Sequence, residues 1–224
     1  MRTDHAWEVF RGFKADSRGT LAVVCFRLGT WVGGLFTTAC VRHLAAKGFP
    51  ITTVAPGNNK AEILRVVPEL APHFEQVVLL GYPPFVKDVI DSGIGWSAHR
   101  IKMVFAGEVF SEEWRDLVAS RAGVADPVSG MVSLYGTADA GVLGNETPKS
   151  VSIRRFLAGR PDLARELFGE SRLPVTPSTS PSASNTATPA AKPDQAGREL
   201  RLWPTPAGAG LAGATRKMAD ERRL

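Results

Sequence analysis

The chain has 224 residues, 44% hydrophobic and 22% charged, with a formal net charge of +5. That composition is ordinary for a globular protein and bounds the chain to one sizeable domain, or one domain with a tail. The charge argues against a nucleic-acid partner: residues 1–173 carry 20 Lys+Arg against 18 Asp+Glu and residues 174–224 carry 7 against 4, and no basic stripe is interleaved with aromatics.

Residues 1–20 form a mixed, polar lead-in in which Trp7, Phe10 and Phe13 have the spacing of a short amphipathic helix, its aromatics packed on the body of the domain. Charges run through the first ten residues, so a signal peptide is not expected there. No apolar run approaches the ~18 residues of a membrane span, so no membrane partner is expected. Cys25 and Cys40 lie among apolar neighbours without C-x-x-C spacing, which predicts buried structural thiols in a reducing, cytoplasmic compartment.

A repeating unit follows. Residues 21–26 are a continuous Val-rich run, as expected of a buried parallel strand. Arg27-Leu28-Gly29-Thr30 turns the chain into a helix over 31–46, which stops at Lys47-Gly48. Residues 49–55 read as a second strand, and Pro56-Gly57-Asn58-Asn59 as a turn that caps a helix over 61–70. A third strand over 76–80 leads through Gly81-Tyr82-Pro83-Pro84 to a helix over 85–91. The fourth strand, 101–105, is followed by Ala106-Gly107-Glu108. Ser111 then caps a helix ending near Ala122-Gly123. The fifth strand, 131–135, runs into Gly136-Thr137-Ala138-Asp139.

This alternation predicts an α/β fold, with βα units forming a mainly parallel sheet flanked by helices. Each strand is read as followed by glycine (Gly29, Gly57, Gly81, Gly107 and Gly136), which places these turns on one sheet edge. Ligands of open α/β sheets bind at that C-terminal edge. Residues 151–156 read as one more strand and 161–168 as a short helix. From residue 174 the chain is rich in Pro, Ser, Thr and Ala, and 174–224 is expected to be a disordered tail, with a short helix near 216–223.

Catalytic constellations are scarce. His5, His43, His73 and His99 have no metal-ligand spacing, and neither a nucleophile elbow nor a P-loop motif is present. Gly57-Asn58-Asn59 is a candidate phosphate cradle, although helix capping explains it equally well. Glu108 and Asp139 are the acids of interest. Each follows a strand at the expected ligand edge, where a carboxylate can hold Mg²⁺ on a nucleotide phosphate or cap a turn.

Five blocks within residues 20–148 together resemble the adenylate-forming (AMP-binding) superfamily, in its phenylacetate–CoA ligase-like branch. They are Phe26-Arg27-Leu28-Gly29 with Gly33-Gly34-Leu35-Phe36, Pro56-Gly57-Asn58-Asn59-Lys60, Gly81-Tyr82-Pro83-Pro84, Phe105-Ala106-Gly107-Glu108 with Ser111-Glu112-Glu113, and Tyr135-Gly136-Thr137-Ala138-Asp139. The fourth is similar to the family's G-x-E-P segment and the fifth to its Y-G-x-T-E motif. The resemblance implies nucleotide binding by Gly107, Glu108, Tyr135, Gly136 and Thr137, a metal ligand in Asp139, and an acyl pocket near Trp31 and Tyr82. It implies ATP or AMP, Mg²⁺ and CoA as cofactors and an aryl carboxylic acid as substrate. An acyl-adenylate forms first and a thioester second.

The departures are specific. Val109 stands in place of the usual Pro, Thr137 falls one place early with Ala138 at the expected Thr, and Asp139 replaces Glu. Residues 1–20 contain nothing like the family's phosphate loop, and the sequence beyond residue 148 does not resemble its later catalytic-lysine domain. The resemblance therefore covers the central part of the ligase core, residues 21–173 being the partial core. The expectation is a fragment inactive alone, or else a non-catalytic assembly module that self-associates or pairs with a completing polypeptide.

Overall fold

The apolar run after Gly19 becomes strand β1 (Thr20–Val24), every residue of which is buried. It lies inside a six-stranded sheet in the computed structural model, which describes residues 4–137, 139 and 141–168. Helix α1 (Asp4–Gly12) precedes it. Helix α2 (Val32–Ala46) leads to β2 (Ile51–Val54), α3 (Lys60–Leu70) to β3 (Gln76–Gly81), and α4 (Pro83–Ile90) to β4 (Ile101–Ala106). Helix α5 (Glu112–Ala122) and the single turn α6 (Pro127–Gly130) lead to β5 (Met131–Thr137). Strand β6 (Gly141–Asn145) and helices α7 (Pro148–Ala158) and α8 (Pro161–Phe168) complete the described chain.

The strand order is β2-β1-β3-β4-β5-β6, parallel throughout except for the antiparallel β5–β6 pair. The fold is therefore α/β with a mainly parallel sheet flanked by helices, as the βα alternation predicts. Because successive strand side chains point to opposite faces, each strand feeds two cores. On one side Leu21, Val23, Leu79, Met103 and Phe105 pack with Ile63 and Val67 of α3, Val86 and Val89 of α4, and Val118 and Ala119 of α5. On the other, Ala22, Val24, Val78, Leu80 and Val104 pack with Val9 and Phe10 of α1 and Val41 and Leu44 of α2. The chain moves outward from β1 to β2, then crosses back to β3, so winding reverses between β1 and β3.

Local signals set most element ends. The Asn59 side chain accepts from Glu62 N at 3.1 Å, and Ser111 Oγ accepts from Trp114 N at 3.2 Å. Gly123 ends α5 in the left-handed region at φ 69°. Cys25 and Cys40 are free and buried.

Several expectations change. Residues 151–156 are helical rather than a strand. Thr147 Oγ1 accepts from Ser150 N while Ser150 Oγ accepts from Thr147 N, and Pro148 occupies the first turn. This reciprocal cap outweighs the β-branched run that suggests a strand. Strand β6 is an additional element with no apolar run to mark it. Trp7 stays 38% exposed with the Arg11 guanidinium 4.7 Å above its ring, while Phe10 and Phe13 are buried. Gly81 and Gly136 lie inside strands rather than after them. The expected tail, 174–224, and its short helix near 216–223 lie outside the described residues. No helix among the described residues is long and apolar enough to cross a membrane.

Candidate functional site at the C-terminal sheet edge

Four strands carry the candidate residues to the same edge. Trp31 follows β1, Tyr82 follows β3, Gly107 and Glu108 follow β4, and Tyr135, Gly136, Thr137 and Asp139 lie at the end of β5. These four strands are neighbours in that order and run parallel. At the usual strand spacing they span about 14 Å from β1 to β5. Ala106 pairs with Leu134, so Gly107 and Tyr135 each directly follow the end of the β4–β5 pairing.

Gly107 turns the chain at φ 94°, a conformation that disfavours side chains, and Tyr82 uses the space. A Cβ on Gly107 would lie 3.4 Å from Tyr82 Cδ2. The Tyr82 hydroxyl donates to the Glu108 carboxylate. That bond, followed by burial and the negative charge of Glu108, pushes the Tyr82 hydroxyl above its ordinary pKa. The resemblance places Tyr82 in an acyl pocket and Glu108 in a nucleotide pocket; here the two are direct partners across β3 and β4.

The other wall is a β-hairpin. Tyr135, Gly136 and Thr137 are strand residues, so β5 extends two positions past its expected end. Gly136 has a structural reason to be glycine: a Cβ there would come within 2.4 Å of the Gly141 carbonyl oxygen, at a register shift between Tyr135 and Gly136. Thr137 pairs with Gly141, and Asp139 is exposed in the turn. Ala138 lies outside the described residues. Tyr135 is 62% exposed and Trp31 51% exposed, the latter with the Arg27 guanidinium 5.9 Å from its ring centroid.

The donor set bears on the implied metal. Among the described residues no group of three His, Cys, Asp or Glu could hold an ion. Glu108 is already engaged with Tyr82, and Asp139 is an exposed carboxylate just beyond β5. Mg²⁺ is ordinarily held by one or two carboxylates together with phosphate oxygens. Asp139 thus fits an ion that arrives with a nucleotide, rather than a resident one. The Gly57-Asn58-Asn59 turn resolves as a helix cap, since the Asn59 side chain is used on Glu62 N. Helix α2 begins at Trp31 without a side-chain cap, beside the point where winding reverses.

Behind the hairpin lies an ionic cluster that sequence reading misses. The fully buried Arg115 side chain donates to Glu112 at 3.0 Å, to Met131 O at 2.6 Å and to Glu146 at 2.8 Å. Its guanidinium sits 4.9 Å from the Phe110 ring centroid. Arg154 also pairs with Glu112 and Glu146, while Arg155 joins Glu112 to Asp116. Burial raises the Glu146 carboxyl pKa, but hydrogen bonds and charge from Arg115 and Arg154 outweigh this and hold it below its ordinary value. The Glu112–Arg115 spacing is legible in the sequence, but partners 31 and 42 residues apart are not.

No protein-family model matches the chain, and no curated protein matches it.

Proposed function

We propose that this chain is a partial carboxylate-activating core of the acid–CoA ligase kind. It holds a nucleotide with Mg²⁺ at the C-terminal edge of β4 and β5, beside a pocket for an aryl carboxylic acid, and it does not form a CoA thioester by itself. The observation that carries this reading is the convergence of Gly107-Glu108 and Tyr135-Gly136-Thr137-Asp139 at one end of adjacent parallel strands. Tyr135 offers an exposed aromatic face for a base, and Asp139 a free-standing carboxylate for a phosphate-bound cation.

Phosphoryl chemistry requires cations aimed at the developing charge, each typically contributing ~2.7–4 kcal/mol. Near this edge the exposed Arg27 guanidinium lies 5.9 Å from the Trp31 ring centroid, and Lys60 pairs at the surface with Asp88 at 2.9 Å. Free, buried Cys25 and Cys40 agree with a reducing, cytoplasmic setting.

A thermal-shift titration with Mg-ATP, AMP and a non-hydrolysable aryl-adenylate analogue tests the reading. A saturable rise in melting temperature, abolished by Asp139→Ala, is expected, without thioester formation from ATP, CoA and acid. A melt indifferent to all three ligands refutes nucleotide binding, and turnover by the isolated chain refutes inactivity.

A second reading, a non-catalytic module that self-associates or docks on a completing polypeptide, is favoured by one observation. Trp31, Val32, Leu35, Val109, Tyr135 and Leu143 are large apolar side chains exposed on the elements that build this edge. Sedimentation showing a monomer at all concentrations counts against self-association.

A further inference from the structure

The distal half of the β5–β6 hairpin runs beyond the parallel part of the sheet. Strand β5 pairs with β4 as far as Leu134, and beyond that point the strand register of Tyr135, Gly136 and Thr137 is with β6. An isolated two-stranded ribbon is marginal in water, so the direction in which its tip projects depends on how its base is fixed. That base is gripped by charge. Glu146, directly after β6, donates its backbone N–H to Ser133 O at 2.9 Å and accepts from Ser133 N through its carboxylate at 2.9 Å. The same carboxylate oxygen accepts from Arg115 Nη2 at 2.8 Å, and Arg115 Nη1 reaches Met131 O at 2.6 Å. One guanidinium on α5 therefore holds both strands of the hairpin. At the α1 side, His5 Nδ1 and Asn145 Oδ1 lie 2.8 Å apart.

We propose that Arg115, acting through Glu146, is the positioning residue of the candidate site, fixing where Tyr135, Thr137 and Asp139 stand relative to Gly107 and Glu108. Well-packed apolar side chains can replace buried ionic clusters with little loss of stability, so bulk stability alone does not call for this one. A planar fork with three separately directed bonds fixes direction as well as distance, which a hydrophobic contact does not. Arg155 is a natural control: its side-chain hydrogen bonds run to Glu112 and Asp116, both on α5.

This inference rests on the nucleotide-binding reading, and its test separates the two. The full chain and its Arg115→Lys, Glu146→Gln and Arg155→Ala variants are followed by amide exchange and by titration with AMP and Mg-ATP. In Glu146→Gln, exchange at residues 133–137 and 141–145 is expected to quicken at least tenfold, while residues 77–80 of the sheet core keep wild-type rates. AMP affinity is expected to fall about tenfold. Arg115→Lys, which replaces the fork by a single ammonium, is expected to quicken the same amides at least as much, and Arg155→Ala matches the wild type in both readouts. Wild-type hairpin exchange in Glu146→Gln overturns the proposal, as does equal acceleration in Arg155→Ala. If Arg115→Lys fails to fold, Glu146→Gln still decides. If the wild type binds neither nucleotide, the functional reading fails and hairpin exchange alone judges the positioning role.

Discussion

Replacing Glu146 by Ala measures the cost of stranding Arg115 inside the buried cluster. The Arg115 side chain is 0% exposed and that of Glu146 13% exposed, so the pair is desolvated. Removing one partner of a buried pair costs about 3–5 kcal/mol, because the remaining charge is stranded. Here Arg115 keeps Glu112 at 3.0 Å and Met131 O at 2.6 Å, which places the loss at the lower end. The Ser133 N–H also loses its acceptor, at a further cost of about 1 kcal/mol. A total near 3–4 kcal/mol lowers the melting temperature of a domain this size by roughly 6–16 °C. Urea denaturation of wild type, Glu146→Ala and Glu146→Gln gives the energies directly. The pH dependence is a second arm. Glu146 is held below its ordinary 4.5 in the folded protein, so its contribution is complete above that value and is lost as pH falls through the folded pKa. Glu146→Gln should therefore show a shallower acid slope. A loss under about 1 kcal/mol in Glu146→Ala, or an unchanged acid slope in Glu146→Gln, refutes the reasoning.

Gly136→Ala puts a methyl 2.4 Å from the Gly141 carbonyl oxygen and should open the hairpin, at about 1–3 kcal/mol, seen as faster exchange at residues 141–145. Burial pushes the Cys25 thiol up to about 12, so Ellman's reagent at pH 8 should label it only on unfolding; rapid labelling of the native protein contradicts the buried placement. The chain has two tyrosines, Tyr82 and Tyr135. In an ultraviolet titration Tyr82 should ionise above the ordinary value of 10, and Glu108→Gln should bring it back toward that value.

Local chemistry wrote much of the fold into the sequence. Apolar runs bounded by turns mark β1, β3, β4 and β5, most clearly β1 and β3, which are buried along their whole length and so carry apolar residues almost continuously. Asn59, Ser111 and Gly123 marked helix ends, because a cap bonds within three or four residues of itself. The sheet edge that carries the candidate residues follows from the same alternation, since every βα turn of a parallel sheet falls at one end.

Tertiary structure decided the rest. Strand order depends on which apolar faces pack, and the reversal at β1 leaves no local mark. Strand β6 is short and glycine-rich, and it exists because β5 offers it a free edge. Helix α7 looked like a strand by its β-branched residues, but its cap and its ion pairs to α5 override that preference. Tyr82 and Glu108 are 26 residues apart, and Arg115 and Glu146 are 31 apart. Such pairs form only after the sheet has set its strands side by side, so residue types alone named the candidates while the packed sheet chose their partners.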